Sequence, residues 1–148
     1  GHRDEVDAVS YEGAAQATPA SGVLDALDAA DLLVIAPSNP YVSIGPILAV
    51  RKIRAALAHR RVPCVAVSPL IGGRAVRGPA DRMLARLAGG TTPAHVASCY
   101  AGLIDALVLD EADDASGLDV EAIVTSTLMT DAASRRSVAG AALGLVAA

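Results

Sequence analysis

Apolar residues fall along this chain in two alternating rhythms. Short continuous runs, Leu32–Ala36, Val62–Val67 and Ala106–Leu109, have the form of strands covered on both faces. Val120–Thr125 reads as a fourth strand and Val6–Tyr11 as an edge strand. Between them lie helical stretches at Leu24–Ala30, Ile44–His59, Pro79–Leu87 and from Thr92 to about Leu103, with a last helix starting at Thr130 or Asp131 and running to the C-terminus. Pro63 is tolerable only at a strand start. Thr92 is placed as an N-cap, and Pro79 follows Gly78 as a helix start. Strand–helix alternation of this kind predicts an α/β fold, a Rossmann-like parallel sheet with helices on both faces. Ligands of such sheets bind beyond the carboxyl ends of the strands, in the loops after Ala36, Val67, Leu109 and Thr125.

Composition narrows the class. The chain has 148 residues, 53% hydrophobic and 19% charged, which fits one globular domain and excludes disorder. No stretch reads as a transmembrane span, and the opening Gly1-His2-Arg3-Asp4-Glu5 does not read as a signal peptide, so a cytoplasmic location is expected. The chain does not open with Met, so it reads as a piece of a longer one or as carrying an added start. Three Tyr, with neither Phe nor Trp, argue against a single-strand nucleic-acid binder. Cys64 and Cys99 form neither a metal pattern nor a disulfide framework and read as small buried hydrophobes.

Net charge is −4, unevenly spread. Residues 1–31 carry seven acids and one base, residues 51–86 nine bases and one acid, and residues 105–121 seven acids and no base. A basic middle on an acidic chain points to a local anion site. Arg51, Lys52, Arg54, Arg60 and Arg61 read as the solvated face of one helix; Arg74 and Arg77 stand instead in a glycine-rich loop.

Two loops carry candidate chemistry. In the first, Pro37–Pro46, Ser43 is placed to cap a helix, leaving the N–H groups of Ile44 and Gly45 free toward an anion. Ser38 and Asn39, ahead of Pro40, add side-chain donors. In the second, Ser68–Asp81, Gly72 and Gly73 permit close backbone approach, Arg77 is a planar phosphate partner and Gly78 precedes a helix. The loop is neither a Walker loop nor a dinucleotide fingerprint. If their strands are neighbours, both loops open on one crevice, suited to a diphosphate or two phosphorylated groups. His59 and His95 lack metal-spaced companions, the run Asp110-Glu111-Ala112-Asp113-Asp114 reads as a solvated loop, and no catalytic residue or metal ligand is assigned.

Those loops resemble the 2-phospho-L-lactate transferase (CofD-like) family of coenzyme F420 biosynthesis. The resemblance runs through Ala36-Pro37-Ser38-Asn39-Pro40, Ser43–Val50, Ser68–Gly73 and Val76–Met83, and reappears in Tyr11-Glu12-Gly13, Ala30-Asp31 and Thr127-Leu128-Met129. Family members are about twice as long, so residues 1–148 correspond to the C-terminal part of one such domain, incomplete in its N-terminal strands. Members usually carry Pro-Gly where this chain has Arg51-Lys52, a change expected to lengthen the helix.

The resemblance implies a phosphotransferase. The donor is a guanosine-diphosphate-linked acid, lactyl-2-diphospho-guanosine or its enolpyruvyl analogue. The acceptor is the ribityl hydroxyl of the deazaflavin Fo, GMP leaves, and Mg2+ is expected with ligands upstream. Ser38, Asn39, Pro40, Ser43, Ile44 and Gly45 would serve the donor phosphates or acceptor tail; Gly72, Gly73, Arg77 and Gly78 would serve the nucleotide. A homodimer is expected, with neither nucleic acid nor membrane as partner; the isolated polypeptide, lacking the first strands of the sheet, is expected to expose apolar edges and to be inactive alone. The alternative is a non-catalytic nucleotide or nucleotide-sugar binding regulator of the same fold, whose loop would read Gly-Pro-Gly-Ser-Leu-Tyr-Thr-Ser; the Ser38-Asn39-Pro40 form favours the transferase.

Overall fold

The computed structural model describes residues 6–144. In chain order the elements are α1 (Val23–Asp28), β1 (Leu33–Ile35), a π-helical turn (Pro40–Ile44), α2 (Gly45–Leu48), α3 (Arg51–Ala58), β2 (Cys64–Val67), β3 (Leu70–Ile71), β4 (Arg74–Ala75), α4 (Ala80–Leu87), α5 (Pro93–Ser98), β5 (Ala106–Leu109), β6 (Glu121–Val124) and α6 (Ala132–Leu143).

Four strands form a parallel sheet in the order β1-β2-β5-β6, so each strand lies beside its predecessor in that sheet. The register sets Val34 against Val65, Ala66 against Leu107 and Val108 against Ile123. Every residue of β2 and β5 is buried, as a parallel strand flanked by helices requires. On one face Ile35, Cys64, Ala66 and Leu107 pack with Leu48, Leu57, Leu84, Val96 and Tyr100 from α2–α5 and the turn after α5. On the other, Val65, Val67, Ala106 and Val108 meet Val138 and Ala142 of α6. This is the α/β architecture expected, with helices on both faces. A separate two-stranded hairpin, β3–β4, pairs Leu70 with Ala75 and Ile71 with Arg74.

Several local expectations are corrected. Val6–Tyr11 joins no strand; Tyr11 is instead tied to the π-turn through its hydroxyl, which donates to the Tyr41 carbonyl. The helix expected over Ile44–His59 is broken at Val50, whose extended backbone (ψ 107°) starts a new helix. Arg51 is therefore the first residue of α3, a position where proline is at home. The Arg51-Lys52 pair does not lengthen a helix, because the break precedes it. Arg60 lies beyond α3 rather than on its solvated face: its side chain is nine-tenths buried and bridges to Asp105 at 2.7 Å. Residues 145–148, where the last helix was expected to continue, lie outside the described residues. No helix among the described residues is long and apolar enough to cross a membrane.

Candidate functional site

The loop after β1 is organised by Asn39. Its Oδ1 accepts from the N–H groups of Tyr41 (2.8 Å) and Val42 (3.3 Å), and its Nδ2 donates to Met83 Sδ on α4 (3.4 Å). The Asn39 carbonyl accepts from Ser43 and Ile44, both at 3.1 Å, which closes the wide π-turn. The cap is thus Asn39, not Ser43, and the Ile44 N–H is used inside the turn rather than left free for an anion. Proline at the first position of the turn removes one donor that would need a partner. Gly45 has a packing role. A Cβ there would collide with the Tyr11 hydroxyl and lie 2.9 Å from the Pro40 carbonyl oxygen.

In the loop after β2, Ser68 hydrogen-bonds locally: the Leu70 N–H donates to its Oγ at 3.2 Å. Gly72 (φ 56°) and Gly73 (φ 73°) form the two-residue turn of the β3–β4 hairpin. Consecutive positive φ values are the demand of a type I′ hairpin turn, which glycine meets without strain. The Gly73 N–H donates to Asp113 Oδ1 at 2.9 Å. Arg77, just past the hairpin, is exposed and has no ion-pair partner among the described residues.

A third segment comes from beyond β6. Asp110, at the end of β5, is buried. Its Oδ2 accepts from the Thr127 N–H (2.7 Å) and hydroxyl (3.0 Å), and its Oδ1 from the Ala112 N–H (3.0 Å). Burial pushes the Asp110 carboxyl up, but those bonds to Thr127 and Ala112 outweigh it and hold the group below the ordinary aspartate range. The acidic run is thus not simply a solvated loop. Asp113 also serves the hairpin, while Asp114 accepts from Ser116.

These three segments enclose a cavity of about 480 Å³ at the carboxyl ends of β1, β2 and β6. Ser38, Asn39 and Ser43 line it from the first loop; Arg77 and Gly78 from the second; Thr127, Leu128 and Met129 from the third. The two loops expected to share a crevice do so. Pro40, Ile44, Gly45, Gly72 and Gly73 do not line this cavity. Ser68, Val42 and Val76 do; the sequence places them in the two candidate loops without singling them out as site residues. Arg77 is the one charged residue in the lining, so the cavity favours an anion. Its free side-chain hydroxyls come from Ser38 and Ser43, for which no hydrogen-bond partner is found among the described residues, whereas the Asn39 amide is committed to its turn. A larger cavity, about 800 Å³, lies at the amino ends of the strands, where Arg60 and Asp105 already neutralise each other. The strand polarity places binding at the other end.

The lining of the 480 Å³ cavity contains no carboxylate, and among the described residues no three His, Cys, Asp or Glu side chains gather as a metal set. The described residues lining this cavity therefore do not by themselves fit a divalent cation.

The family model described as 2-phospho-L-lactate transferase CofD matches residues 1–138. A phosphoenolpyruvate transferase of Streptomyces griseus is 44% identical over 147 residues, 95% of this chain and 46% of that protein. A phosphoenolpyruvate transferase of Mycolicibacterium smegmatis is 38% identical over 92% of this chain and 43% of its own length. A 2-phospho-L-lactate transferase of Methanococcoides burtonii is 39% identical over 84% of this chain and 42% of its own length. The chain spans just under half the length of the curated relatives it matches.

Proposed function

This chain belongs to the 2-phospho-L-lactate transferase (CofD) family, and on that premise we propose that it is the C-terminal part of a transferase of coenzyme F420 biosynthesis. The reaction moves a phosphoenolpyruvyl or 2-phospho-L-lactyl group from a guanosine-diphosphate-linked donor to the deazaflavin Fo. The Fo ribityl hydroxyl attacks the phosphorus that bears the three-carbon acid. A new oxygen–phosphorus bond forms there, the bond from that same phosphorus to the bridging oxygen breaks, the hydroxyl proton is lost and GMP departs with the bridging oxygen. The phosphoenolpyruvyl donor is the better supported: the phosphoenolpyruvate transferase of Streptomyces griseus is 44% identical over 95% of this chain, against 39% over 84% for the 2-phospho-L-lactate transferase of Methanococcoides burtonii. The setting proposed is cytoplasmic.

The single observation that carries the reading is the cavity at the carboxyl ends of the strands, with Arg77 as its one charge and the Ser38 and Ser43 hydroxyls beside it. Phosphoryl transfer asks a protein mainly for positioning and for groups that offset developing negative charge. Arg77 supplies a guanidinium fork suited to phosphate oxygens. Ser38 and Ser43 supply donors on a turn that Asn39 and Tyr11 hold rigid. Asn39, expected as a ligand donor, acts here through the turn. Gly72 and Gly73 act through the hairpin that leads to Arg77. The magnesium expected from the family resemblance has no ligand set in this lining, and no step is routed through it.

The test is a fluorescence titration of Fo and a binding assay with GDP, on the full-length protein that contains this segment and on its Arg77→Ala/Ser38→Ala double variant. The expected result is GDP affinity lowered by about tenfold or more in the variant, since charge-assisted bonds are lost, at an unchanged melting temperature. Equal affinity in the two proteins overturns the assignment of this cavity.

A further inference from the structure

Past β6 the chain leaves the sheet. The Thr125 N–H makes the last ladder bond, to the Leu109 carbonyl at 3.1 Å. Order resumes at Asp131, where the α6 capping box begins. Between these anchors, the hydrogen bonds found among the described residues for the 126–130 segment both run from Thr127 to Asp110 Oδ2. Thr127 is buried, yet the next two residues, Leu128 and Met129, stand 47% and 37% exposed on the cavity lining. Large apolar side chains thus stand open to solvent next to a residue bonded to one buried carboxylate. Arg77 offers charge to the same cavity, while Leu128, Met129, Val42 and Val76 offer apolar surface. This division suits a ligand that joins an anionic group to a flat apolar ring.

We propose that Asp110 is a positioning residue for this cavity: its carboxylate fixes Thr127 so that Leu128 and Met129 form the apolar wall against which the ring of the acceptor lies. The inference rests on the reading of the cavity as the transferase substrate site. Asp110 itself stays off the cavity lining and touches no ligand. It acts by presenting two acceptor oxygens to three donors on two segments, one following β5 and one following β6. An asparagine keeps the size but replaces one acceptor by an N–H₂ group, which then faces a donor.

The experiment is run on the full-length protein that contains this segment and compares the parent with Asp110→Asn, with Leu128→Ala and with Val138→Ala, a control that loosens the α6 side of the sheet at a residue off the cavity lining. Amide hydrogen exchange is read at Thr127, and Fo affinity by deazaflavin fluorescence. The expected result is exchange at Thr127 faster by about tenfold or more in Asp110→Asn, with the Leu107 and Val108 amides unchanged. Fo affinity falls in both Asp110→Asn and Leu128→Ala, whereas Val138→Ala lowers the melting temperature and leaves Fo affinity intact. Thr127 exchange equal to that of the parent, or Fo affinity retained in Asp110→Asn but lost in Leu128→Ala, overturns the proposal. A parent chain that leaves Fo fluorescence unchanged defeats the functional reading instead, and the exchange rate at Thr127 then decides the positioning role by itself.

Discussion

The hydroxyl of Tyr11 reaches the carbonyl oxygen of Tyr41 by passing over Gly45, whose missing side chain leaves the room it occupies. One bond thereby fastens the N-terminal segment to the turn that presents Ser38 and Ser43. It also explains why glycine stands at position 45 although its φ is an ordinary helical one.

Replacing Gly45 by alanine forces the tyrosine ring or the Pro40 carbonyl to move. The expected cost is ~1–3 kcal/mol of stability, as for other overpacked sites. Tyr11→Phe removes only the hydrogen bond and is expected to cost about 1 kcal/mol. Urea denaturation of the two variants measures both, and the alanine must be the more damaging.

Asn39→Ala removes the acceptor for the Tyr41 and Val42 N–H groups together with the contact to Met83. A loss of ~1–2 kcal/mol is expected, the range for deleted caps. Asn39→Asp keeps the capping oxygen, so thermal denaturation at pH 7 is expected to place it between alanine and the parent.

Asp105 gives a pH signature. Burial raises its carboxyl, but the Arg60 bond, the Cys64 N–H and the Arg60 charge together carry it below the usual range. A depressed folded value means that the stabilisation is complete above the unfolded value of about 3.9 and fades as pH falls through the folded one. Melting temperatures of the parent and Asp105→Asn, followed from pH 6 to pH 2, are expected to differ most at pH 6 and to converge below pH ~3.9. A constant gap across that range contradicts the assignment.

The cysteines differ in reach. Cys64 has no exposed surface and burial pushes its thiol up to about 11, whereas Cys99 is only partly buried. At pH 8 an alkylating reagent is expected to label Cys99 alone, with Cys64 joining only in denaturant. Mass spectrometry of the labelled peptides reads the order directly.

The hairpin turn is equally specific. Gly73→Ala places a Cβ at positive φ and 3.1 Å from Thr91 Oγ1, and is expected to cost about 1 kcal/mol or more. At Gly72, where the nearest side chain is 3.9 Å away, asparagine is expected to be tolerated. Thermal denaturation distinguishes the two.

The strands β2 and β5 were legible because their apolar runs are continuous and bounded by breakers, which only a doubly covered strand explains. The adjacency of β1 and β2 stood only as a condition in the sequence; their parallel pairing supplies it, and with it the shared crevice. Val6–Tyr11 was misread because local pattern cannot say whether a neighbouring strand exists to pair with it. Ser43 was misread as a cap because Asn39 closes a π-turn, a rare geometry without a periodic signature. The burial of Arg60 depends on Asp105, 45 positions away, and the bond between Asp110 and Thr127 joins loops on two strands. Such pairings are written in the tertiary structure and leave no mark in spacing.

The reverse layer of the molecule has a consequence of its own. Among the described residues, α6 is the one helix that covers Val65, Val67, Ala106 and Val108, and it does so through Val138 and Ala142, a valine and an alanine. Its interior also carries Gly140, a weak link in a helix. Detachment of α6 as a unit is therefore expected to be a low-energy opening of this face of the sheet. Such an opening bares the aliphatic ribbons of β2 and β5 on the face away from α2–α5, so clumping on heating is expected to begin from a species whose other face is still packed.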